Sequence, residues 1–171
     1  MNNFFLSLNF PSHYYELTLL LHKLKEGWTF FDNGKNKIVE WNRFYLSDYK
    51  ADIDISFLNY LPFNFSLKDL YFSKISYIEE SRCHIDPNRE AALCYPMYNC
   101  QPLKFYKEDK TNFITEAPYV KPLLINVKQY HTIRNTTQGI RTFFQICLHK
   151  PYKYYYDLLL PHKYECTKRI K

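Results

Sequence analysis

Cys83-His84-Ile85-Asp86-Pro87-Asn88-Arg89-Glu90 runs directly into Ala91-Ala92-Leu93-Cys94-Tyr95-Pro96-Met97-Tyr98. The second half reads as a strand, a short apolar burst bounded by Pro and Asn signals. It belongs to a series. Leu70, Phe72, Ile75 and Tyr77 mark a strand before it, and residues 103–106, 112–114, 123–127, 130–134 and 141–148 continue after it. Pro, Asn, Asp, Lys or Gly separate these bursts, and no strong helical period interrupts them. That grammar predicts a mainly β, antiparallel sandwich or barrel from about Phe65 onward.

The first half of the quoted stretch carries chemistry. In an extended strand, residues i and i+2 point to one face. His84 and Asp86 can therefore reach one point in space, two thirds of a metal site. His131, in Tyr130-His131-Thr132, is the candidate for the missing third once the strands have wrapped back. Two histidines and a carboxylate form the facial arrangement used by non-haem Fe(II) oxygenases. Arg141 follows ten residues after His131, beyond a turn at residues 135–139. If His131 pairs near Phe143 across that turn, Arg141 lies about 7 Å along the neighbouring strand. A five-carbon diacid held by the metal would present its far carboxylate at that distance. A guanidinium fork suits it, making two charge-assisted hydrogen bonds. Phe143 and Gln145 alternate onto the same face and are expected to line the pocket. Arg89 is a further candidate, for a carboxylate behind the triad, for an acidic substrate group or for a surface ion pair.

N-terminal to this region, Tyr14, Leu17, Leu20, Leu21 and Leu24 predict an amphipathic helix. Ser12 is the expected N-cap and Gly27 the left-handed stop. A strand at residues 28–31 and a turn at Asp32-Asn33-Gly34 follow. His13 and His22 read as surface or packing residues. Residues 41–61 mix Asp48, Asp52 and Asp54 with apolar residues. The acids fail the calcium-loop pattern, so the segment reads as a solvated connection. Residues 152–160 suggest a helical turn or two before a basic tail.

Composition narrows the function. The chain has 171 residues, enough for one domain with a proper core; 17 Tyr and 14 Phe suit buried strands. The expected division is a support region at 1–64, the β core at 65–150 and the tail at 151–171. Only 3 Gly are present, which excludes a Gly-rich phosphate loop, a dinucleotide fingerprint and a nucleophile elbow. The net charge of +6 is spread along the chain and reads as a solvated surface, with nucleic acid a weaker reading. The 5 Cys form no CxxC pair and fit reduced thiols in a cytoplasm. No signal-peptide flank or long apolar span is evident.

On His84, Asp86, His131 and Arg141, the sequence resembles the 2-oxoglutarate/Fe(II)-dependent dioxygenases. The phrases around residues 84–96 and 122–135 look like small phage-type members, and the resemblance covers roughly residues 70–148. It implies a double-stranded β-helix (jelly-roll, cupin-like) core with a helix outside. It also implies Fe(II) on His84, Asp86 and His131, and 2-oxoglutarate held at its distal end by Arg141. O2 would be the co-substrate, with succinate and CO2 leaving. If phage-encoded, the protein would work in the host cytoplasm. Peptide, nucleobase and metabolite substrates all stay open. Two rivals stand beside this reading: a cupin-like metal- or ligand-binding module without turnover, and a nucleic-acid-binding β-barrel.

Overall fold

The computed structural model describes residues 3–24, 29–30, 41–49, 52–76, 81–136 and 139–164, with backbone only at 29, 30 and 41. It is mainly β, with two antiparallel sheets and two α-helices. Strands β1 (Phe5–Ser7), β2 (Thr29–Phe30), β3 (Trp41–Tyr45), β4 (Leu70–Ile75), β5 (Ala91–Tyr98), β8 (Leu123–Ile125) and β10 (Arg141–Leu148) form one seven-stranded sheet, ordered β1-β8-β5-β10-β4-β3-β2. Strands β6 (Leu103–Tyr106), β7 (Phe113–Ala117) and β9 (His131–Thr132) form a three-stranded sheet, ordered β7-β6-β9.

The central strands of the large sheet are buried on both faces, which explains their near-continuous apolar runs. On one face, Leu70, Phe72, Leu93, Tyr95, Leu124, Phe144 and Ile146 join Leu17, Leu20 and Leu24 and the aromatic residues of a C-terminal helix. On the other, Ile75, Ala92, Cys94, Leu123, Ile125 and Phe143 meet Leu103, Phe105 and Ala117 of the small sheet. This second face also carries polar side chains. Ser73, Arg141 and Gln145 are all buried and alternate in register with it. The ladder between β10 and β5 slips between Thr142 and Phe143, opposite Pro96. Proline has no N–H for the ladder and is confined to such places in a sheet.

Helix α1 spans Tyr14–Lys23 and buries Leu17 and Leu20. Its N-cap is His13 rather than Ser12, with φ of 49°. The His13 ring, 11% exposed, packs on Phe57 and Tyr60 and so is a packing histidine. Helix α2 spans Tyr152–Leu159 and buries Tyr152, Tyr155, Tyr156 and Leu159, one helical stripe. The expected stop at Gly27, the turn at 32–34, Tyr77 and the tail beyond 164 lie outside the described residues.

Residues 41–61 correct the reading of a solvated connection. Trp41–Tyr45 is a strand paired with β4, and Phe44, Leu46, Leu58 and Leu61 are buried. Asp48, Asp52 and Asp54 are exposed, so the acids masked the apolar positions between them. No described helix is long and apolar enough to cross a membrane.

Phe144 is fully buried while Phe113 is 54% exposed. Phe144→Ala should cost about 3–5 kcal/mol of unfolding free energy, and Phe113→Ala less than about 1. Urea denaturation of both variants measures the difference.

Candidate metal centre

His84 and His131 face each other across a backbone bridge. The His84 N–H donates to His131 O at 3.0 Å, and the His131 N–H donates to His84 O at 3.0 Å. Residues that exchange both bonds stand directly opposite, with side chains on one face. Their ring centroids are 4.6 Å apart. On its other edge β9 pairs with β6, placing His131 opposite Phe105. This corrects the expected pairing of His131 near Phe143. Strand β10 lies in the large sheet, so His131 and Arg141 approach from different sheets.

Asp86 is pinned by its N–H to Val127 O at 3.0 Å. Its Oδ1 lies 3.9 Å from His84 Nε2, and its Oδ2 lies 4.0 Å from His131 Nε2. The three side chains each offer a ligating atom, all within 4.8 Å of one another. Both rings are held from behind. His84 Nδ1 donates to Arg82 O at 2.8 Å and His131 Nδ1 to Gln129 O at 2.9 Å. A carbonyl only accepts, so these contacts place the proton on Nδ1 and leave a lone pair on Nε2.

The electrostatics favour a neutral His131 imidazole and an ionised Asp86 carboxylate. Burial pushes the His131 pKa down to about 4, with neighbouring His84 adding to the effect. Burial alone would raise Asp86; the opposing effects, led by the charge of Arg89 and including its hydrogen bonds, outweigh it and hold the carboxyl below its usual range. Arg89 thus pairs with the triad carboxylate itself, rather than with a carboxylate behind the triad or a surface partner. Its Nε and Nη2 both donate to Asp86 Oδ2, at 3.0 and 2.5 Å. Its Nη1 donates to the Tyr71 hydroxyl and, at 3.2 Å, to Gln145 Oε1. Lys128, which sequence reasoning passed over, clamps the loop from outside. Its Nζ donates to Asp86 O at 3.2 Å and Pro87 O at 3.1 Å, and pairs with Glu90 at 3.2 Å.

The triad opens on a narrow cavity also lined by Arg89, Tyr119, Phe143 and Gln145. Phe143 and Gln145 stand where alternation placed them. The cavity volume is about 10 Å3, room for roughly one water or ion. Arg141 is fully buried but is not among the lining residues. Its guanidinium lies over the rings of Tyr119 and Phe143, at 5.0 and 5.5 Å, and both rings do line the cavity. Nη1 donates to Arg134 O at 2.6 Å; Nε and Nη2 make no hydrogen bond of ordinary geometry among the described residues, and the Cys100 thiol lies alongside the guanidinium.

Compared with protein-family models and with curated proteins, the sequence matches none.

In the metal-free protein His131 should make folding acid-sensitive. Its folded pKa of about 4 lies below the ordinary 6.5, so the unfolded chain binds the proton more readily. The stability held by neutral His131 is complete above about pH 6.5 and is lost as pH falls toward 4, on the order of 3 kcal/mol in all. Asp86, also depressed, adds a further loss below its ordinary value of 3.8. Denaturation from pH 7 to 4 should show this slope in wild type, flattened in His131→Gln.

Proposed function

We propose that this chain is an Fe(II)- and 2-oxoglutarate-dependent oxygenase, a hydroxylase or demethylase, on a double-stranded β-helix core. The convergence of His84 Nε2, an Asp86 oxygen and His131 Nε2 carries the reading. Ligands about 2.0–2.2 Å from a first-row metal lie about 3 Å apart when adjacent. One ligating atom from each of the three side chains lies within 4.8 Å of the others, so the set must draw in by up to roughly 2 Å. Two imidazoles with fixed tautomers and one carboxylate therefore fit such an ion.

Connectivity supports the proposed core. Strand β4 pairs with β10, His84 with His131, β5 with β8, and β6 with β7, all antiparallel. Each pair nests inside the one before it in sequence. A long two-stranded ribbon coiled on itself, with its pairs distributed over two facing sheets, has this order and is the ribbon of a jelly roll.

In this reading His84, Asp86 and His131 hold the metal on one side and leave the cavity side open. The oxidising chemistry would come from Fe(II) with O2 and 2-oxoglutarate, giving succinate, CO2 and an oxidised substrate. Arg141 offers Nε and Nη2, two buried N–H donors without a hydrogen bond of ordinary geometry among the described residues, to the distal carboxylate. Tyr119 and Phe143 exclude water, and their rings must turn to admit a diacid reaching Arg141.

The tight cavity and the position of Arg141 behind two rings favour a second reading. It is a cupin-like module that binds a metal without 2-oxoglutarate turnover. Parallel titrations of Fe(II), under anaerobic conditions, and of 2-oxoglutarate separate the two. Arg141→Leu should weaken 2-oxoglutarate binding by roughly one to three orders of magnitude with little change in metal affinity. His131→Ala should lose the metal first. Metal uptake without 2-oxoglutarate binding in wild type, or unchanged binding in Arg141→Leu, would replace the oxygenase with the module.

A further inference from the structure

We infer that Arg89 is a positioning residue that restricts Asp86 to one-oxygen coordination and so keeps a coordination position free for a ligand. The inference rests on the metal site proposed above. A carboxylate beside a divalent ion can bind through one oxygen or both. Chelation through both would consume a position that a co-substrate needs.

The geometry at Asp86 separates its two oxygens. Oδ2 accepts from Nε at 3.0 Å and from Nη2 at 2.5 Å of the same guanidinium. Both donors belong to one edge of the guanidinium, so they load Oδ2 with positive charge from one side and weaken its hold on a second cation. Oδ1, facing His84 Nε2 at 3.9 Å, is the oxygen free of Arg89, whereas Oδ2, 4.0 Å from His131 Nε2, carries both arginine bonds and would have to give them up to share the metal. Arg89 cannot easily swing away to release Oδ2. Its side chain is 10% exposed, and Nη1 is held by the Tyr71 hydroxyl and Gln145 Oε1. Tyr71 and Gln145 belong to β4 and β10, adjacent strands of the large sheet, where they stand opposite each other. The direction of the metal-binding carboxylate is therefore set by the rigid sheet through one planar side chain. The 86–90 loop alone does not set it.

Lysine cannot reproduce this arrangement, because it lacks the planar fork that contacts Oδ2 and the sheet at once. Removing the fork frees Oδ2 to join Oδ1 on the metal. A merely structural role would lower stability or metal uptake without changing how many waters the bound ion keeps.

The test uses Mn(II) alone as probe, in the full chain, with water-proton relaxation reading the exchangeable waters on the bound ion. At equal Mn(II) occupancy, Arg89→Met should show about one third less relaxation enhancement than wild type, one of three open octahedral positions being lost. Tyr71→Phe keeps the Nε and Nη2 bonds and should retain the wild-type value. Arg89→Lys should fall with Arg89→Met, and carries the test if the methionine variant does not fold. Wild-type relaxation in the arginine variants at full occupancy would overturn the inference and leave the metal site standing. Absence of Mn(II) and Fe(II) uptake by wild type would overturn both.

Discussion

Two backbone hydrogen bonds, exchanged between His84 and His131, hold the candidate centre together. They join segments far apart in sequence and place two imidazoles on one face of one bridge. Everything else at the site is arranged around that pair. Carbonyls of Arg82 and Gln129, each two residues before its histidine, turn both Nε2 atoms to the same point. Asp86 arrives from the residue after next. The metal-binding geometry is thus a local consequence of strand pairing, and its accuracy depends on how firmly the strands are held.

The large sheet supplies that firmness. Burial on both faces gives β4, β5 and β10 an apolar layer on one side, while the other side takes polar groups between the sheets. Such groups are costly there unless bonded, because desolvation removes water's hydrogen bonds. Tyr71, Gln145 and Arg89 meet the demand by bonding one another and Asp86. The same desolvation keeps His131 neutral, the form in which an imidazole offers a lone pair to a metal.

Much of this was legible in the sequence where the signal is local. The strands 91–98, 103–106 and 141–148 fall within the same bounds in the fold, since apolar bursts between Pro, Asn and Gly signals mark buried strands. His84, Asp86 and His131 lie together as the i, i+2 spacing and a returning sheet predict, although residues 84–86 carry only an isolated bridge at His84 and no regular strand. Pairing partners were less legible. A turn between His131 and Arg141 suggested a hairpin, but the two flanking strands enter different sheets, and no local pattern encodes that choice. Strand β3 was hidden because Asn42 and Arg43 interrupt its apolar residues. Strand β1 has only 3 residues, too few for a period, and is fixed by pairing with β8. The N-cap fell on His13 because its ring packs against Phe57 and Tyr60, a tertiary contact that propensity does not weigh.

The two interior arginines differ in a way that separates their work. Arg89 has a partner for every guanidinium nitrogen, including a carboxylate, and its charge is matched where it stands. Arg141 is buried more deeply, yet one nitrogen meets a carbonyl while Nε and Nη2 make no hydrogen bond of ordinary geometry among the described residues, with the Cys100 thiol alongside the guanidinium. An unmet buried donor costs about 1–3 kcal/mol, more when charged. The Tyr119 and Phe143 faces return part of that through cation–π attraction, about 0.5–2 kcal/mol each. Ring faces attract the charge but leave the in-plane N–H groups unmet. A planar anion entering past those rings would satisfy both at once, and a chain lacking such a ligand would be more stable with Leu or Met at this position. This burial and these ring contacts are what the proposed role of Arg141 as a carboxylate holder rests on.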